Sequence, residues 1–338
     1  MKKRIECPYC DGNANLQKET REITYRKDVF KIVAHYYKCE KCREEFTTTE
    51  ADAISLTQVH NQYREKNNIP FEEEIAAIRE KYELSAAKMS EVLGLGANGY
   101  GNYENGEIPT PAYGNLISAA AEPQLFISLL EKAKGHFSDN VFNKARERAS
   151  RLVKTAEERK SLCAALNTYT EANNFTGYKK PAADKIASLI TYLIRHSKPE
   201  FNDKLKLNKQ LFFADFAHYK NFGASISGLS YRAINYGPVP ANYDNIYTYL
   251  ENEQLIASQF LRLPNGGARE VFISEAGFDE NLFTEQEKQT METIVERFAD
   301  ISTWDMVELS HQEKAWKELE PTRGLIGYQD YAFELAAL

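Results

Sequence analysis

The sequence predicts a multidomain protein, mainly α-helical with small β elements. Three observations carry that expectation. The 338 residues are 43% hydrophobic and 12% aromatic, an ordinary globular composition with material for two to three cores. Residues 20–38 alternate in the strand manner, whereas stretches beyond residue 50 place apolar residues at helical spacing. Charge falls in blocks: 11 Lys and Arg against 6 Asp and Glu in residues 1–43, 3 against 8 in 71–110, 9 against 5 in 124–160, and 15 against 23 in 181–338. Such blocks mark modules with different partners. The net charge of −7 excludes a protein that is polybasic overall. The opening MKKRIE runs into a cysteine pair without the apolar stretch of a signal peptide. The longest apolar run, Ile186 to Ile194, is interrupted by Ser188 and Thr191 and is too short to span a bilayer. A cytoplasmic protein is therefore expected.

The first module is residues 1–48. Ile23 and Tyr25, then Phe30, Ile32, Ala34 and Tyr36, read as two strands with a turn at Lys27-Asp28. Around them stand Cys7-Pro8-Tyr9-Cys10 and Cys39-Glu40-Lys41-Cys42, two C-x-x-C knuckles with 28 residues between them. Each knuckle brings two thiolates to one ion at about 2.3 Å, and two knuckles complete a tetrahedron. One β-hairpin fits between them, which makes a zinc ribbon. Four thiolates close the shell, so one structural Zn²⁺ per chain is expected on Cys7, Cys10, Cys39 and Cys42. The competing reading, two redox dithiols, lacks the βαβ setting in which a single such motif occurs. His35 is expected at the surface, and Cys163 as a small buried residue in a helix.

The second module is residues 49–118. A helix over 50–66 precedes short helices broken by Gly and Pro. Ser85 is placed to cap a helix whose buried face holds Met89, Val92 and Leu93, and Gly94 permits a tight turn. A second helix starts at Asn98 and ends at Asn105-Gly106. Gly94-Leu95-Gly96-Ala97-Asn98-Gly99 also spells G-x-G-x-x-G, but it follows a helix and lacks the downstream acidic residue of a dinucleotide site. The run from Leu84 to Gly106, with its Tyr103-Glu104-Asn105-Gly106 ending, resembles the helix-turn-helix of Xre/Cro-like antitoxin regulators of the YgiT/MqsA type. In that family the same module follows the same ribbon. The resemblance implies a homodimer on a palindromic operator, with Asn98 and Asn102 facing bases and Tyr100 touching a thymine methyl or the backbone. Asn pairs bidentately with adenine in the major groove. Where this chain has Asn102 the family often has Arg. Gly99 and Gly101 each cost the helix about 0.5–1 kcal/mol relative to Ala. The module is acidic, so phosphate-facing charge must come from the ribbon, from Lys81 and Lys88, or from the helix around Lys144, Arg146, Arg148 and Arg151. A helix-turn-helix kept only for dimerisation stays open as an alternative.

Residues 119–180 read as a helical connector with two amphipathic helices over 124–172, ending in the Gly- and Pro-containing joint Thr176–Pro181. In residues 181–338, helices are expected over 182–196 and 204–221, strands and a hairpin over 226–274, and helices over 284–298 and 303–320. Three blocks stand out: the Lys- and Leu-rich helix with Leu205, Leu207, Lys209, Leu211, Phe212, Asp215 and His218; Tyr231-Arg232 leading to Tyr236-Gly237-Pro238-Val239; and Trp304 with Leu309-Ser310-His311 and Trp316. In this order they resemble the Panacea domain, also called SocA-like or DUF4065, over roughly 182–331. The resemblance implies an α+β domain that binds and neutralises a protein toxin. Tyr231, Arg232, Tyr236, Pro238 and Tyr243 form the candidate surface, since rigid Tyr-rich surfaces suit protein contacts. Trp304 and Trp316 are expected in the core. Asp215 and His218, at i and i+3, could pair as acid and base or hold a metal, and Ser310-His311 could supply a nucleophile. No third partner is identifiable, so no enzyme is expected.

The resulting expectation is an N-terminal zinc ribbon, a helix-turn-helix, a helical connector and an α+β C-terminal Panacea domain. It is the architecture of a type II antitoxin that binds a toxin encoded nearby and represses its own operon. A transcriptional regulator without a toxin, or a proteolytic adaptor, remains the alternative. The ending Glu334–Leu338 reads as a frayed helix end or a degradation signal.

Overall fold

The computed structural model describes residues 1–338 except 167–168, 263–266 and 276, and except the side chains of 154–165. Cys163 belongs to that last group, so its expected burial lies outside the described residues. Strands β1 (Arg4–Glu6), β2 (Asn13–Tyr25), β3 (Asp28–Cys39) and β4 (Glu45–Phe46) make one sheet in chain order. Helices α1 (Thr49–Lys66), α2 (Glu72–Lys81), α3 (Ala86–Leu93), α4 (Gly99–Glu104), α5 (Pro111–Ala120), α6 (Pro123–Lys132) and α7 (Asp139–Leu166) follow. Then come α8 (Ala183–His196), α9 (Lys204–Phe222), the hairpin β5 (Tyr231–Ile234) and β6 (Gly237–Pro240), α10 (Tyr243–Asn252), and the hairpin β7 (Ile256–Arg262) and β8 (Ala268–Ser274). The chain closes with α11 (Glu285–Phe298), α12 (Thr303–His311), α13 (Lys314–Leu319), β9 (Leu325–Ile326) and α14 (Tyr328–Tyr331). A multidomain, mainly helical protein with small sheets is what the periodicities predict.

The described chain forms two compact units: residues 1–19, 33–57 and 162–338, and residues 20–32 and 58–161. In the second unit Ile75, Tyr82, Met89, Tyr100, Ile117, Phe126 and Leu130 build one core from α2 to α6, and Phe142, Ala145 and Ala149 join it from α7. Tyr82 stacks on Phe126 with ring centroids 3.6 Å apart, and its hydroxyl donates to Ala120 O at 2.8 Å.

In the first unit α9 is the central element. All fourteen residues from Lys206 to Tyr219 are buried, so the helix is covered on every side. Phe212 and Phe216 meet Tyr231 and Tyr328, and β5 is the middle strand of the sheet β6-β5-β9. The buried lysines of α9 are satisfied, whereas Gln210 leaves its Oε1 without a partner. Lys206 donates to Ala299 O and Ile301 O, and Lys209 donates to Pro238 O at 3.1 Å.

Several details differ from the sequence expectation. The β2–β3 turn falls at Arg26-Lys27, with Arg26 at φ 55°, one residue earlier than predicted. The zone 226–274 contains the helix α10 as well as strands. The predicted helix 303–320 breaks into α12 and α13 where Glu313 takes extended backbone, ψ 135°. His35 is 2% exposed instead of lying at the surface. The buried residues of β3 are Phe30, Ile32 and Ala34 on one phase, then His35, Tyr37 and Cys39 on the other. An alternation read from the first half of the strand therefore assigns His35 to the wrong side.

Candidate functional site

The ribbon brings its four cysteines together. Cys7 lies just beyond β1, Cys39 ends β3, and Cys10 and Cys42 lie in the two knuckle turns. Cys7 and Cys42 sulfurs are 3.7 Å apart, Cys10 and Cys39 sulfurs 3.5 Å, and all four lie within 4.8 Å of one another. Metal–sulfur bonds of about 2.3 Å place the corners of a tetrahedron about 3.8 Å apart, so these thiols fit one ion. Backbone N–H groups of Tyr9, Gly12 and Lys41 donate to the sulfurs of Cys7, Cys10 and Cys39, each at 3.4 Å. Amides from Cys42 and Lys41 pull the Cys39 thiol down to about 6, while against the Glu44 amide burial and the facing sulfurs push the Cys42 thiol up to about 12. Gly12 is required by crowding: a Cβ there would stand 2.7 Å from Lys41 Cβ and 3.0 Å from the Cys39 sulfur. His35 is not in the cluster.

In the helix-turn-helix, Ser85 accepts from Lys88 N and caps α3, and Gly94 takes the left-handed backbone, φ 65°. Met89, Val92 and Leu93 are buried as predicted. Asn98 precedes α4, Asn102 lies one turn on, and both side chains are exposed. Tyr100 corrects the sequence expectation. It is fully buried, takes a bond from its own N–H to Ser90 Oγ at 2.9 Å, and donates its hydroxyl to Ile75 O at 2.7 Å. It anchors α4 to α2 and α3 and offers nothing to DNA. Lys88 is engaged locally: its ammonium pairs with Glu91 at 2.7 Å, donates to His136 O and sits over the Phe137 ring. Arg146, Arg148 and Arg151 pair with Glu131, Glu83 and Glu147. The Tyr-Glu-x-Gly ending has a structural role, since Tyr103 is buried and Glu104 accepts from Arg79 Nε at 2.6 Å.

In the C-terminal domain the five candidate surface residues separate into two groups. Tyr231 is fully buried and donates its hydroxyl to Asp215 at 2.7 Å, and Pro238 is buried with its carbonyl taken by Lys209. Neither can face a partner, because each packs into the core around α9. Arg232 is partly exposed and donates to Arg323 O, Tyr243 is partly exposed, and Tyr236 is 52% exposed. Trp304, expected in the core, is 56% exposed and meets Tyr236 edge to face at 6.2 Å. It sits in the first turn of α12, a position that helical spacing alone did not identify as surface. Trp316 donates Nε1 to Ile234 O and stacks on His311 at 3.8 Å.

Asp215 and His218 do not form a pair. Asp215 accepts from Ile226 N and Ser227 N at 2.8 Å, from the Ser227 hydroxyl and from Tyr231. Burial pushes its carboxyl up, and those donors oppose the shift. His218 faces Thr290 Oγ1 through Nδ1 at 2.9 Å. Ser310 donates to Val307 O in its own helix. The tail is tied down, contrary to the frayed end expected: Glu313 accepts from Ala336 N and Ala337 N, and Lys220 donates to Leu335 O and Leu338 O.

Among the described residues no helix is long and apolar enough to cross a membrane. A search of curated proteins finds no match to the chain. Two family matches do emerge. Residues 5–118 match the family described as the antitoxin component of a bacterial toxin–antitoxin system, MqsA, and residues 207–317 match the SocA-like antitoxin Panacea domain. The chain thus carries a segment similar to the MqsA antitoxin family followed by one similar to the SocA-like Panacea domain, in the order its motifs announce.

Proposed function

We propose that the chain is the antitoxin of a type II toxin–antitoxin pair and represses its own operon. The observation that carries this reading is the presence of two segments, each matching a separate antitoxin family, in one polypeptide. The division of labour follows the modules. Residues 1–48 hold one structural Zn²⁺ on Cys7, Cys10, Cys39 and Cys42, a reading supported by the all-sulfur donor set and its spacing. Residues 49–118 read a palindromic operator as a homodimer, with exposed Asn98 and Asn102 at the base edges. Residues 119–180 connect, and residues 181–338 bind a toxin encoded nearby. On that last module Tyr236 and Trp304, flanked by Arg232 and Tyr243, are the aromatic contact, since exposed Tyr and Trp anchor protein interfaces. Tyr231 and Pro238 shape the turn beneath it.

Co-expression tests the reading. Cells carrying the neighbouring open reading frame should stop growing, and this protein should restore growth. A Tyr236→Ala/Trp304→Ala double variant should lose rescue while keeping its fold. An Asn98→Ala/Asn102→Ala variant should rescue fully but release the operator in a footprint. Arrest that the intact protein fails to relieve would refute the antitoxin reading.

A further inference from the structure

The turn between β5 and β6 presents Tyr236, and the first turn of α12 presents Trp304. They are 52% and 56% exposed and meet edge to face with ring centroids 6.2 Å apart. The backbone that carries them is fixed. A Cβ on Gly237 would stand 2.6 Å from Lys209 Cε and would collide with Ser310 Oγ, so the turn is seated directly on α9 and α12. Trp316 fastens the strand before it by donating Nε1 to Ile234 O. Exposed rings on a fixed backbone lose little freedom when a partner covers them.

The exposed charge beside the rings is acidic. Helix α12 carries Asp305 and Glu308 and no Lys or Arg. Glu308 stands four residues after Trp304, hence on the same helical face, and is exposed. Asp305 is occupied in the helix cap, where it accepts from the Ser302 hydroxyl at 2.7 Å. Glu308 has no hydrogen bond or ion pair among the described residues. Its charge reaches the His311 ring at the end of the same helix: burial lowers that histidine, Glu308 is the foremost charge opposing, Glu320 opposes too, and Lys209 assists the burial. Of the nearby cations, Lys209 is buried beneath the turn with its ammonium on Pro238 O, and Arg232 is folded back onto Arg323 O.

We propose that this patch receives an arginine from a basic segment of the toxin, its guanidinium plane on the exposed Trp304 ring beside Tyr236 and its N–H groups on the Glu308 carboxylate. The proposal rests on the reading of this domain as toxin-binding and adds the chemistry of the partner. A planar guanidinium both stacks on an aromatic face and forks onto a carboxylate, whereas an ammonium offers only a point charge. The excess of 23 Asp and Glu over 15 Lys and Arg in residues 181–338 favours the approach of a basic partner.

The test is a titration of the full chain with a tetra-arginine peptide at low ionic strength, followed by tryptophan fluorescence, with tetra-lysine and tetra-glutamate peptides for comparison. Tetra-arginine should give a saturable change that is absent in Trp304→Phe and that needs about tenfold more peptide in Glu308→Gln. Tetra-lysine should bind more weakly, and tetra-glutamate should have no effect. No change at millimolar tetra-arginine would overturn the proposal, as would undiminished binding by Glu308→Gln. An equal response to tetra-lysine would overturn the guanidinium stacking. In cells, Glu308→Arg with unchanged circular dichroism should lose growth rescue. Full rescue by that variant would overturn the contact and leave the antitoxin reading standing. Failure of the wild-type chain itself to rescue would refute the antitoxin reading, and with it the toxin as the source of the arginine.

Discussion

At the residue scale, the polar side chains of α9 show how a buried helix tolerates ionisable groups. Lys206, Lys209, Asp215 and His218 each meet a fixed donor or acceptor, and burial shifts the titration of each. His218 is the case with a measurable consequence. Burial, with Glu287 opposing and Lys179 and Lys185 assisting, lowers it to about 3, so the folded protein keeps it neutral. An unfolded histidine titrates near its ordinary value, about 6.5. The folded value is the lower one, so the unfolded chain takes up the proton first and stability falls as pH drops below about 6.5, until the folded form protonates near 3. Across pH 6 to 4 the loss should be on the order of 1 kcal/mol per pH unit for this group. His35, lowered to about 4, adds to the same trend. Urea unfolding at pH 7 and pH 5 should show a smaller pH-dependent loss in His218→Gln than in wild type, even though the variant starts weaker. An identical loss in both would show that His218 is not held neutral. None of this could be read from the sequence, where Asp215 and His218 invited an acid–base pairing. Residue type and spacing gave the helix face, but not that all faces of α9 are buried.

At the scale of elements, local chemistry was legible wherever it is self-contained. Ser85 as a cap, Gly94 as a left-handed turn and the buried Met89, Val92 and Leu93 all follow from short-range rules. Tyr100 did not, because its burial depends on α2 packing across α4. The same limitation hid α10 between two hairpins and the phase change in β3 at His35. The two glycines of α4 separate what helix propensity treats as equal. A Cβ on Gly101 would meet Ala86 Cβ at 3.6 Å, ordinary contact, whereas one on Gly99 would meet Leu95 Cβ at 3.0 Å. Gly101→Ala should therefore gain close to the full propensity difference, about 0.5–1 kcal/mol. Gly99→Ala should gain little or lose stability, because Leu95 must move. Thermal melts of the two variants give the comparison. Equal stabilisation would mean that Leu95 yields freely and that propensity alone governs the helix.

At the scale of the whole molecule, module order was written in the sequence because each module has its own local code: paired cysteines, a capped turn, a Tyr-Gly-Pro hairpin. The grouping of residues 33–57 with 162–338 in one compact unit was not, since it rests on tertiary contacts. Within that unit the sheet meets the C-terminal segment through Lys18 at Phe333 O and through the His35 ring, 5.4 Å from that of Phe333. The question this raises is whether metal loss stays local. The ribbon's own core consists of Cys7, Ala14, Tyr37 and Cys39, with Ile5, Cys10, Leu16 and Phe46 around it. Three of those eight residues are candidate ligands, and so little apolar material does not hold a fold without metal. The α9 core, by contrast, has Phe212, Phe216, Tyr231 and Tyr328 at its centre and, among the described residues, no cysteine. A chelator should therefore strip hydrogen-exchange protection from the amides of residues 5–16 and 37–46 and leave 207–219 protected, with one zinc per chain recovered in the chelate. Cys39→Ser should reproduce the pattern without chelator. Simultaneous loss over 207–219 would instead mean that ribbon and α9 core unfold as one cooperative body, with the contacts at Phe333 coupling them more strongly than their number implies.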